Sequence, residues 1–311
     1  MKKGCLFATV GGAGLIALLA AAYLVLDREK EPLTPEIRFS LGGQYISLPA
    51  GDTHYQLTGP EDGDLVVLVH GFSVASYTWD HTVSALAEAG FRVLTYDLYG
   101  RGYSDRPPGP YDLSLFTTQL ADLLTALHFD SPVDVVGLSM GAYITADFAA
   151  RYPERVGKVA LLAPQSTAMG GDLRISLATL PGVGEYLFTV YLGPFYLADS
   201  SEEFVSNPER AYWRDRYLEM MKYTGFRNAL LSTLRTMTGD PFEAYRALGR
   251  LECPVLLLWG DEDQTSPVEM APQVMEAIPQ AEFHIIPGAR HAFAYEFPDQ
   301  VNPLLVAFLK H

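Results

Sequence analysis

The sequence predicts an α/β protein with a doubly wound, mostly parallel sheet, an inserted helical lid and an N-terminal transmembrane helix. Short apolar runs alternate with helical patterns from residue 65 onward, as in parallel sheets whose strands are buried on both faces. The alternation is interrupted by roughly ninety residues without a strong strand run, far more than an ordinary connection needs. A separate apolar run near the N-terminus predicts the helix that crosses a membrane.

The predicted core elements follow one another in α/β order. Two modest strands are expected at residues 44–48 and 53–57, and six stronger ones at 65–69, 91–96, 133–136, 158–163, 254–259 and 282–286. Helices are expected at 79–89, at 113–127, from 142 onward and at 303–309. Because strands alternate with helices along the chain, most strands should be parallel to their neighbours.

These elements divide the chain into five segments. They are an N-terminal anchor and flank at 1–30, a short linker at 31–40, a first core segment at 41–164, the helical lid at 165–251 and a second core segment at 252–311. The lid is rich in aromatic residues and methionine: Tyr186, Phe188, Tyr191, Phe195, Tyr196, Tyr212, Trp213, Tyr217, Met220 and Met221. Most of its aromatic side chains are expected to form the lid's own core, and the others to line an apolar cleft. Asn207-Pro208 should begin a lid helix.

Composition and charge exclude several classes of function. Hydrophobic residues make up 49% of the 311 residues and charged ones 19%, so the chain can bury a sizeable core. The net charge of −15 disfavours nucleic acid as a partner. Two cysteines, Cys5 and Cys253, offer neither a disulfide framework nor metal-ligand spacing. The oligomeric state stays open.

Residues 5–26 form an apolar run between Met-Lys-Lys and a charged flank. As a helix, about 22 residues span ~33 Å, enough for a hydrocarbon core of about 30 Å. Lys2 and Lys3 favour a cytoplasmic N-terminus, which places the catalytic domain on the extracytoplasmic side of a membrane. The alternative is a secretory signal cleaved after Ala20-Ala21-Ala22, which makes the protein secreted. Four further apolar residues after that site favour a retained anchor.

Residues 133–142 read as a strand that ends in Gly-Leu-Ser-Met-Gly and leads directly into a helix. A strand, G-x-S-x-G and a helix form the nucleophile elbow, in which a strained turn raises the serine above the sheet. Gly137 and Gly141 allow the strand and the helix to approach closely. Amides at the start of the helix point toward negative charge that develops beside the serine. Ser139 is therefore the predicted nucleophile.

Seven histidines compete for the role of the base that this serine needs. His291 follows the last strand on a glycine-containing loop, and loops at the carboxyl ends of parallel strands meet at the ligand crevice. It also follows the candidate acids in the chain, as in the order Ser, Asp, His. The loop after the preceding strand offers Asp261, Glu262 and Asp263. His291 is the predicted base, and the choice among these acids stays open on position alone.

The motifs together resemble the α/β-hydrolase superfamily of serine hydrolases, with an esterase- or lipase-like layout and a lid insertion. The resemblance covers nearly everything from Gln44 onward. In that family the second aspartate of a G-D-x-D-x-x-x-P pattern is the acid of the catalytic triad. The resemblance thus implies Asp263 as the acid, with Asp261 as the runner-up, whose alternative role is to cap the loop.

Two further stretches carry the resemblance. His70-Gly71-Phe72 is similar to the family's HG-aromatic turn after the third strand. That similarity implies an oxyanion hole formed by the backbone N–H groups of Phe72 and Met140, and a role for His70 in shaping the loop rather than in catalysis. Residues 97–107 resemble the family's D-x-x-G-x-G-x-S stretch, a structural loop near the pocket.

A serine at the elbow separates the expected chemistry from that of haloalkane dehalogenases and epoxide hydrolases, which place an aspartate there. The expected function is cleavage of carboxylic ester bonds in small apolar acyl substrates through an acyl-enzyme, near a membrane. The alternatives are a serine C–C bond hydrolase, a cofactor-free perhydrolase or, less expected, a non-catalytic binding protein on the same fold. No cofactor and no metal are expected, because the sequence has no P-loop, H-E-x-x-H or Cys/His cluster.

Overall fold

Eight strands form one mixed sheet in the computed structural model, which describes residues 2–166, 173–197, 204–205 and 210–311, excluding the side chains of 2–13, 174, 196 and 197. The strands are β1 (Gln44–Leu48), β2 (Gly51–Thr58), β3 (Leu65–Val69), β4 (Arg92–Tyr96), β5 (Val133–Leu138), β6 (Val156–Leu162), β7 (Val255–Gly260) and β8 (Ala281–Ile286). Their order is β1-β2-β4-β3-β5-β6-β7-β8. The pairs β1–β2 and β2–β4 are antiparallel and the other five are parallel. The predicted mostly parallel sheet is confirmed.

The strands fold as their apolar runs predict. Residues 66–69 of β3 and every residue of β7 are buried, because helices cover both faces of the sheet at these strands. The strand β2 begins two residues earlier than predicted, since Gly51 and Asp52 continue the antiparallel pairing with β1. Backbone pairing of this kind leaves no signal in the hydrophobic pattern.

Thirteen α-helices surround the sheet in the described part of the chain. They are α1 (Lys2–Leu26), α2 (Pro35–Leu41), α3 (Asp80–Glu88), α4 (Leu113–Ala126), α5 (Met140–Arg151), α6 (Leu173–Ala178), α7 (Val183–Leu187), α8 (Arg210–Met220), α9 (Phe226–Thr236), α10 (Pro241–Leu248), α11 (Ala271–Ala277), α12 (Phe293–Glu296) and α13 (Pro298–Lys310). A π-helical segment covers Phe188–Leu197, and 3₁₀ turns cover Ser76–Trp79, Pro153–Arg155 and Val268–Met270. The helix α5 packs against α4 and α10, whereas α3 packs against α12 and α13.

The segment between β6 and β7 is helical, and most of it forms a second apolar cluster. The helices α8 and α9 and the π-helical segment contribute the buried aromatics Phe188, Trp213, Tyr217 and Phe226 to it. These side chains form the lid's own core, whereas Tyr191, Phe195 and Tyr212 are exposed. The helix α10 packs into the main core beside α5. The side chain of Tyr196 and the predicted cap Asn207-Pro208 lie outside the described residues.

The prediction of a transmembrane anchor is wrong. A search of the described residues finds no helix with the length and apolar character that crossing a bilayer requires. The end of α1 packs on the lid instead, where the ring of Tyr23 stacks on Tyr186 with 6.2 Å between centroids. Both the expected membrane partner and the extracytoplasmic, membrane-anchored localisation depend on that anchor. The described residues therefore give neither expectation any support.

Residues 31–40, the expected linker, are held to the folded chain. The helix α2 begins after Thr34, whose hydroxyl accepts a hydrogen bond from the Ile37 amide. Arg38 of this helix is buried and forms ion pairs with Asp52 and Asp105. The guanidinium therefore joins the segment to the edge of the sheet.

Candidate active site

The turn between β5 and α5 places Ser139 in a conformation that few residues with a side chain adopt. Its backbone has φ 57° and ψ −118°, and its side chain is half-buried. Positive φ in a non-glycine residue costs free energy and is found mostly at functional turns. A Cβ on Gly137 would collide with the Gly141 carbonyl, and one on Gly141 with the Val69 carbonyl. Both glycines are therefore required for the close approach of strand and helix.

His291 and Asp263 form a buried pair at the same edge of the sheet. His291 follows β8, Asp263 follows β7, and 2.7 Å separates the imidazole Nδ1 from the carboxylate Oδ2. The other carboxylate oxygen accepts hydrogen bonds from the amides of Thr265 at 2.9 Å and Ser266 at 2.8 Å. The carboxylate is thus fixed in orientation by its own loop, and it fixes the imidazole in turn.

The runner-up acid, Asp261, occupies a different position. It is exposed, and its carboxylate accepts a hydrogen bond of 2.6 Å from the Gly288 amide. This bond joins the loop after β7 to the loop after β8. Asp261 therefore caps these loops, and the structure pairs His291 with Asp263.

The loop after β3 lies beside the serine. An ideal Cβ placed on Gly71 would be 3.6 Å from the Ser139 Cβ. Within the described part of the chain, the backbone amides of Phe72 and Met140 donate no hydrogen bond to the protein. Two unpaired amides next to a serine are the donors that an oxyanion requires.

A buried arginine that the sequence analysis does not single out supports this loop. The guanidinium of Arg101 donates from Nε to the Phe72 carbonyl at 2.9 Å and from Nη2 to the Thr233 hydroxyl at 2.8 Å. Burial lowers the pKa of Arg101 to about 9. Its only sequence signal is its place in the Gly-Arg-Gly of residues 100–102, because its acceptors come from distant segments.

Two further side chains, those of His70 and Asp97, also support the loop after β3. His70 is buried and accepts a hydrogen bond of 2.9 Å from the Leu98 amide at Nε2. Asp97 accepts from the amides of Ser76 and Tyr103, each at 2.9 Å. These bonds connect the loop after β3 with the loop after β4, in line with a shaping role for His70. No group of three His, Cys, Asp or Glu side chains placed to hold a metal is found among the described residues.

A strained serine at the start of a helix, a His–Asp pair on later loops and a mostly parallel sheet define an α/β-hydrolase. Residues 64–298 match the sequence profile of the alpha/beta hydrolase fold family. The chain belongs to that family.

Comparison with known proteins gives relatives with different names. A protein named putative non-heme chloroperoxidase from Synechocystis sp. is 30% identical over 274 residues, which cover 83% of this chain and 95% of that protein. A 2-hydroxy-6-oxononadienedioate/2-hydroxy-6-oxononatrienedioate hydrolase from Paraburkholderia phymatum is 28% identical, with 86% and 95% covered. The crystal structure of a bromoperoxidase from Bacillus anthracis superposes with a TM-score of 0.73 at 25% identity, over 86% of this chain and 100% of that one. The family is therefore established, and the reaction must be argued from the site.

Proposed function

We propose that the protein is a serine hydrolase that cleaves carboxylic ester bonds of apolar acyl substrates through an acyl-enzyme. The observation that carries the proposal is the strained Ser139 at the N-terminus of α5, on the sheet edge where the His291–Asp263 pair lies. A nucleophile, a base and an acid that orients the base are the elements of such a mechanism.

In the proposed mechanism, the Ser139 hydroxyl oxygen attacks the ester carbonyl carbon while His291 Nε2 takes the hydroxyl proton. The hydrogen bond from Nδ1–H to Asp263 selects the tautomer in which Nε2 carries no proton and can act as a base. The amides of Phe72 and Met140 stabilise the oxyanion, at about 3 kcal/mol each. The alcohol leaves with the proton from His291. Water then attacks the acyl-enzyme with His291 again as the base, and the carboxylic acid is released.

The preference for apolar acyl groups is supported by what flanks the site. Val74 and Tyr77, shortly after the proposed oxyanion donor Phe72, belong to the lid's apolar cluster. Ala292 and Tyr295, which follow the proposed base, belong to the same cluster. An apolar wall next to the nucleophile favours an apolar acyl chain and excludes water.

Two alternative reactions would use the same residues, one with a different acceptor and one with a different substrate. Similarity to proteins named chloroperoxidase favours perhydrolysis, in which hydrogen peroxide replaces water in the attack on the acyl-enzyme. Similarity to proteins named as hydrolases of oxononadienedioate compounds favours cleavage of a C–C bond. Both need an activated serine, so pocket shape rather than the triad distinguishes them from ester hydrolysis.

A panel of 4-nitrophenyl esters of rising acyl length tests the proposal. We expect turnover by the full chain that is lost in Ser139→Ala, and labelling of wild type but not of this variant by a fluorophosphonate. Assays of peracid formation and of C–C cleavage on a vinylogous 1,5-diketone run in parallel. A fluorophosphonate-labelled enzyme that turns over only the diketone would replace the ester proposal with C–C cleavage. An unlabelled wild type without any turnover would indicate a binding protein.

The assignment of the acid has its own matched pair of variants. Asp263→Asn should lower kcat by about 10³- to 10⁴-fold, because an amide no longer selects the required imidazole tautomer. Asp261→Asn removes the same charge from the same loop and should leave kcat within about threefold of wild type, since that side chain is exposed and accepts a hydrogen bond from a loop amide. Equal losses in the two variants would contradict the assignment.

A further inference from the structure

The loop after β6 is bonded directly to the turn that carries the proposed nucleophile. The Ser139 amide donates to the Leu162 carbonyl at 2.9 Å. The Ser139 carbonyl accepts from the Gln165 amide at 3.2 Å, in addition to its helical bonds with α5. Both backbone polar groups of Ser139 are therefore bonded to residues 162–165. A displacement of this loop would be passed to the nucleophile.

The backbone of the same loop is strained at Ala163. This residue has φ 40°, a conformation that residues with a side chain rarely adopt. Its amide donates to the Leu258 carbonyl of β7 at 2.9 Å. A strained residue keeps its conformation only where the surrounding contacts hold it, and such strain is found mostly at functional sites. The contacts that hold residues 164 and 165 therefore bear on the geometry of the proposed site.

Ser266, in the loop after β7, uses all three of its polar groups in contacts around that site. Its amide donates to Oδ1 of Asp263 at 2.8 Å, and its hydroxyl donates to the Pro164 carbonyl at 2.7 Å. Its carbonyl accepts from the indole Nε1 of Trp259 at 2.6 Å. The residue is only 4% exposed. One buried residue thus joins the proposed acid to the loop that holds the proposed nucleophile.

The hydroxyl of Tyr245 on α10 holds the next carbonyl of the loop. Tyr245 is buried, and its hydroxyl donates to the Gln165 carbonyl at 2.7 Å. Two buried hydroxyls therefore bond consecutive carbonyls of the loop, one from the loop after β7 and one from α10. A buried carbonyl that loses such a donor pays a free-energy penalty unless it finds a new partner, which favours displacement of the loop.

We propose that Ser266 is a positioning residue, whose hydroxyl fixes Ser139 relative to the His291–Asp263 pair. The inference rests on the proposed function for the chemistry at Ser139. Ser266 acts through its contacts with the Asp263 carboxylate and the Pro164 carbonyl, and no contact with the substrate is needed. It occupies an unspecified position of the G-D-x-D-x-x-x-P pattern, so the family resemblance assigns it no role.

Kinetics of the full chain on a 4-nitrophenyl ester test this role. Ser266→Ala should lower kcat by about tenfold to a hundredfold, because a displacement of about 1 Å between nucleophile and base has an effect of this size. KM should change by less than about threefold, since the walls that meet the substrate are unchanged. Ser266→Cys nearly keeps the volume of the side chain but donates only weakly, so it should lose kcat to a similar extent.

The matched control is Thr117→Val on α4. Thr117 is also buried, and its hydroxyl donates at 2.6 Å to Asp147, which lies about 12 Å along α5 from Ser139. This variant loses a buried hydrogen bond of the same kind and should be destabilised in urea much as Ser266→Ala is. Its kcat, measured where both variants are folded, should stay within about threefold of wild type.

The low-field proton resonance of His291 Nδ1–H tests the contact with the acid in the absence of substrate. It should shift in Ser266→Ala, because the loop that orients the carboxylate is no longer held. It should stay in place in Thr117→Val and in Tyr245→Phe. Tyr245→Phe should nevertheless lower kcat at least about threefold, because it removes the donor to the Gln165 carbonyl on the nucleophile's side.

Three results would overturn the proposal: a kcat of Ser266→Ala equal to that of Thr117→Val, a loss confined to KM, or an unchanged resonance in Ser266→Ala. If Ser266→Ala does not fold, Ser266→Cys is measured in its place and the same results decide. If the wild type turns over no ester, the proposed function fails, and the resonance alone then decides whether Ser266 positions the His291–Asp263 pair.

Discussion

The hydrogen bonds of His70 fix its protonation state. Its Nδ1 lies 2.9 Å from the Gly71 carbonyl, so this nitrogen carries the proton, and Nε2 accepts from the Leu98 amide. A second proton on Nε2 would face an N–H group and break that bond. Burial accordingly lowers the pKa of His70 from 6.5 to about 4, although the nearby Asp97 acts in the opposite direction.

This shift predicts a dependence of stability on pH. As pH falls below 6.5, the unfolded chain binds a proton at His70 that the folded chain takes up only near pH 4. The free energy of unfolding should therefore fall by about 3 kcal/mol between pH 7 and pH 4 through this residue. Urea denaturation should show the stability advantage of wild type over His70→Asn shrinking by that amount over this range.

The matched control is His284→Asn, since His284 is half-exposed and its ring contacts the Glu282 carboxylate. Its stability difference from wild type should not shrink in the same way. If His70→Asn is too unstable to measure, the carbon resonance of the His70 ring in wild type should stay constant from pH 7 to pH 5. A ring that titrates near 6.5 would contradict the neutral assignment.

Local sequence reveals some of the site residues and conceals others. Ser139 sits in a contiguous strand–turn–helix pattern, and His291 follows the last predicted strand, so both positions can be read in chain order. The distinction between Asp261 and Asp263 needs hydrogen bonds to residues more than twenty positions away. His54 pairs with Asp97 across 43 positions, and no spacing rule connects them.

At the scale of elements, Arg101 joins three separate segments. It bonds the Phe72 carbonyl after β3, the Tyr99 carbonyl after β4 and the Thr233 hydroxyl on α9 of the lid. Its guanidinium also lies 5.5 Å from the ring centroid of Phe72. The loop with a proposed oxyanion donor is therefore held by the same cation that holds a lid helix. We regard Arg101 as a positioning residue.

Arg101→Met should lower kcat by about tenfold to a hundredfold, because a displacement of about 1 Å at the loop misplaces a donor amide. KM should change by less than about threefold, since the substrate still meets the same walls. Arg101→Lys should not restore kcat, because one ammonium group cannot replace the planar fork that bonds three acceptors. Ester kinetics on both variants, with urea denaturation as the folding control, check this expectation. A loss confined to KM, or full rescue by lysine, would contradict it.

The elements differ in how far sequence predicts them. Apolar runs such as 65–69 and 254–259 locate the buried strands β3 and β7 to within a residue, because both faces are covered. The hydrophobic pattern does not predict the helix α2, since this helix is short and is held by ion pairs of Arg38. Sequence patterns also fail to predict how the end of α1 packs. Its contact with the lid, through Tyr23 and Tyr186, exists only in the folded chain. Other apolar side chains of α1, such as Leu18 and Val25, are exposed, so an apolar run does not by itself specify burial within the fold.

The described part of the whole molecule contains two apolar clusters rather than one. The main cluster fills both sides of the sheet, and the second joins the lid to the segments after Phe72 and His291. Trp213 lies at the centre of the second cluster. Its ring contacts Tyr77, Phe204 and Tyr295 edge to face, with centroids 5.0–5.1 Å apart. The lid and the loops of the proposed site therefore share one set of packing contacts.

Separate clusters should unfold separately when one of them is weakened. Trp213→Ala should cost about 3–5 kcal/mol, and the loss should appear first as faster hydrogen exchange in residues 173–197 and 210–236. Exchange in β5 and β7 should stay near the wild-type rate. Trp259→Ala, which removes an equally buried tryptophan from the main cluster, should accelerate exchange throughout the molecule. Because the lid cluster also supports the loops around Phe72 and His291, Trp213→Ala should reduce kcat even under conditions in which the sheet remains folded. Uniform acceleration of exchange in both variants would mean that lid and sheet form one cooperative unit.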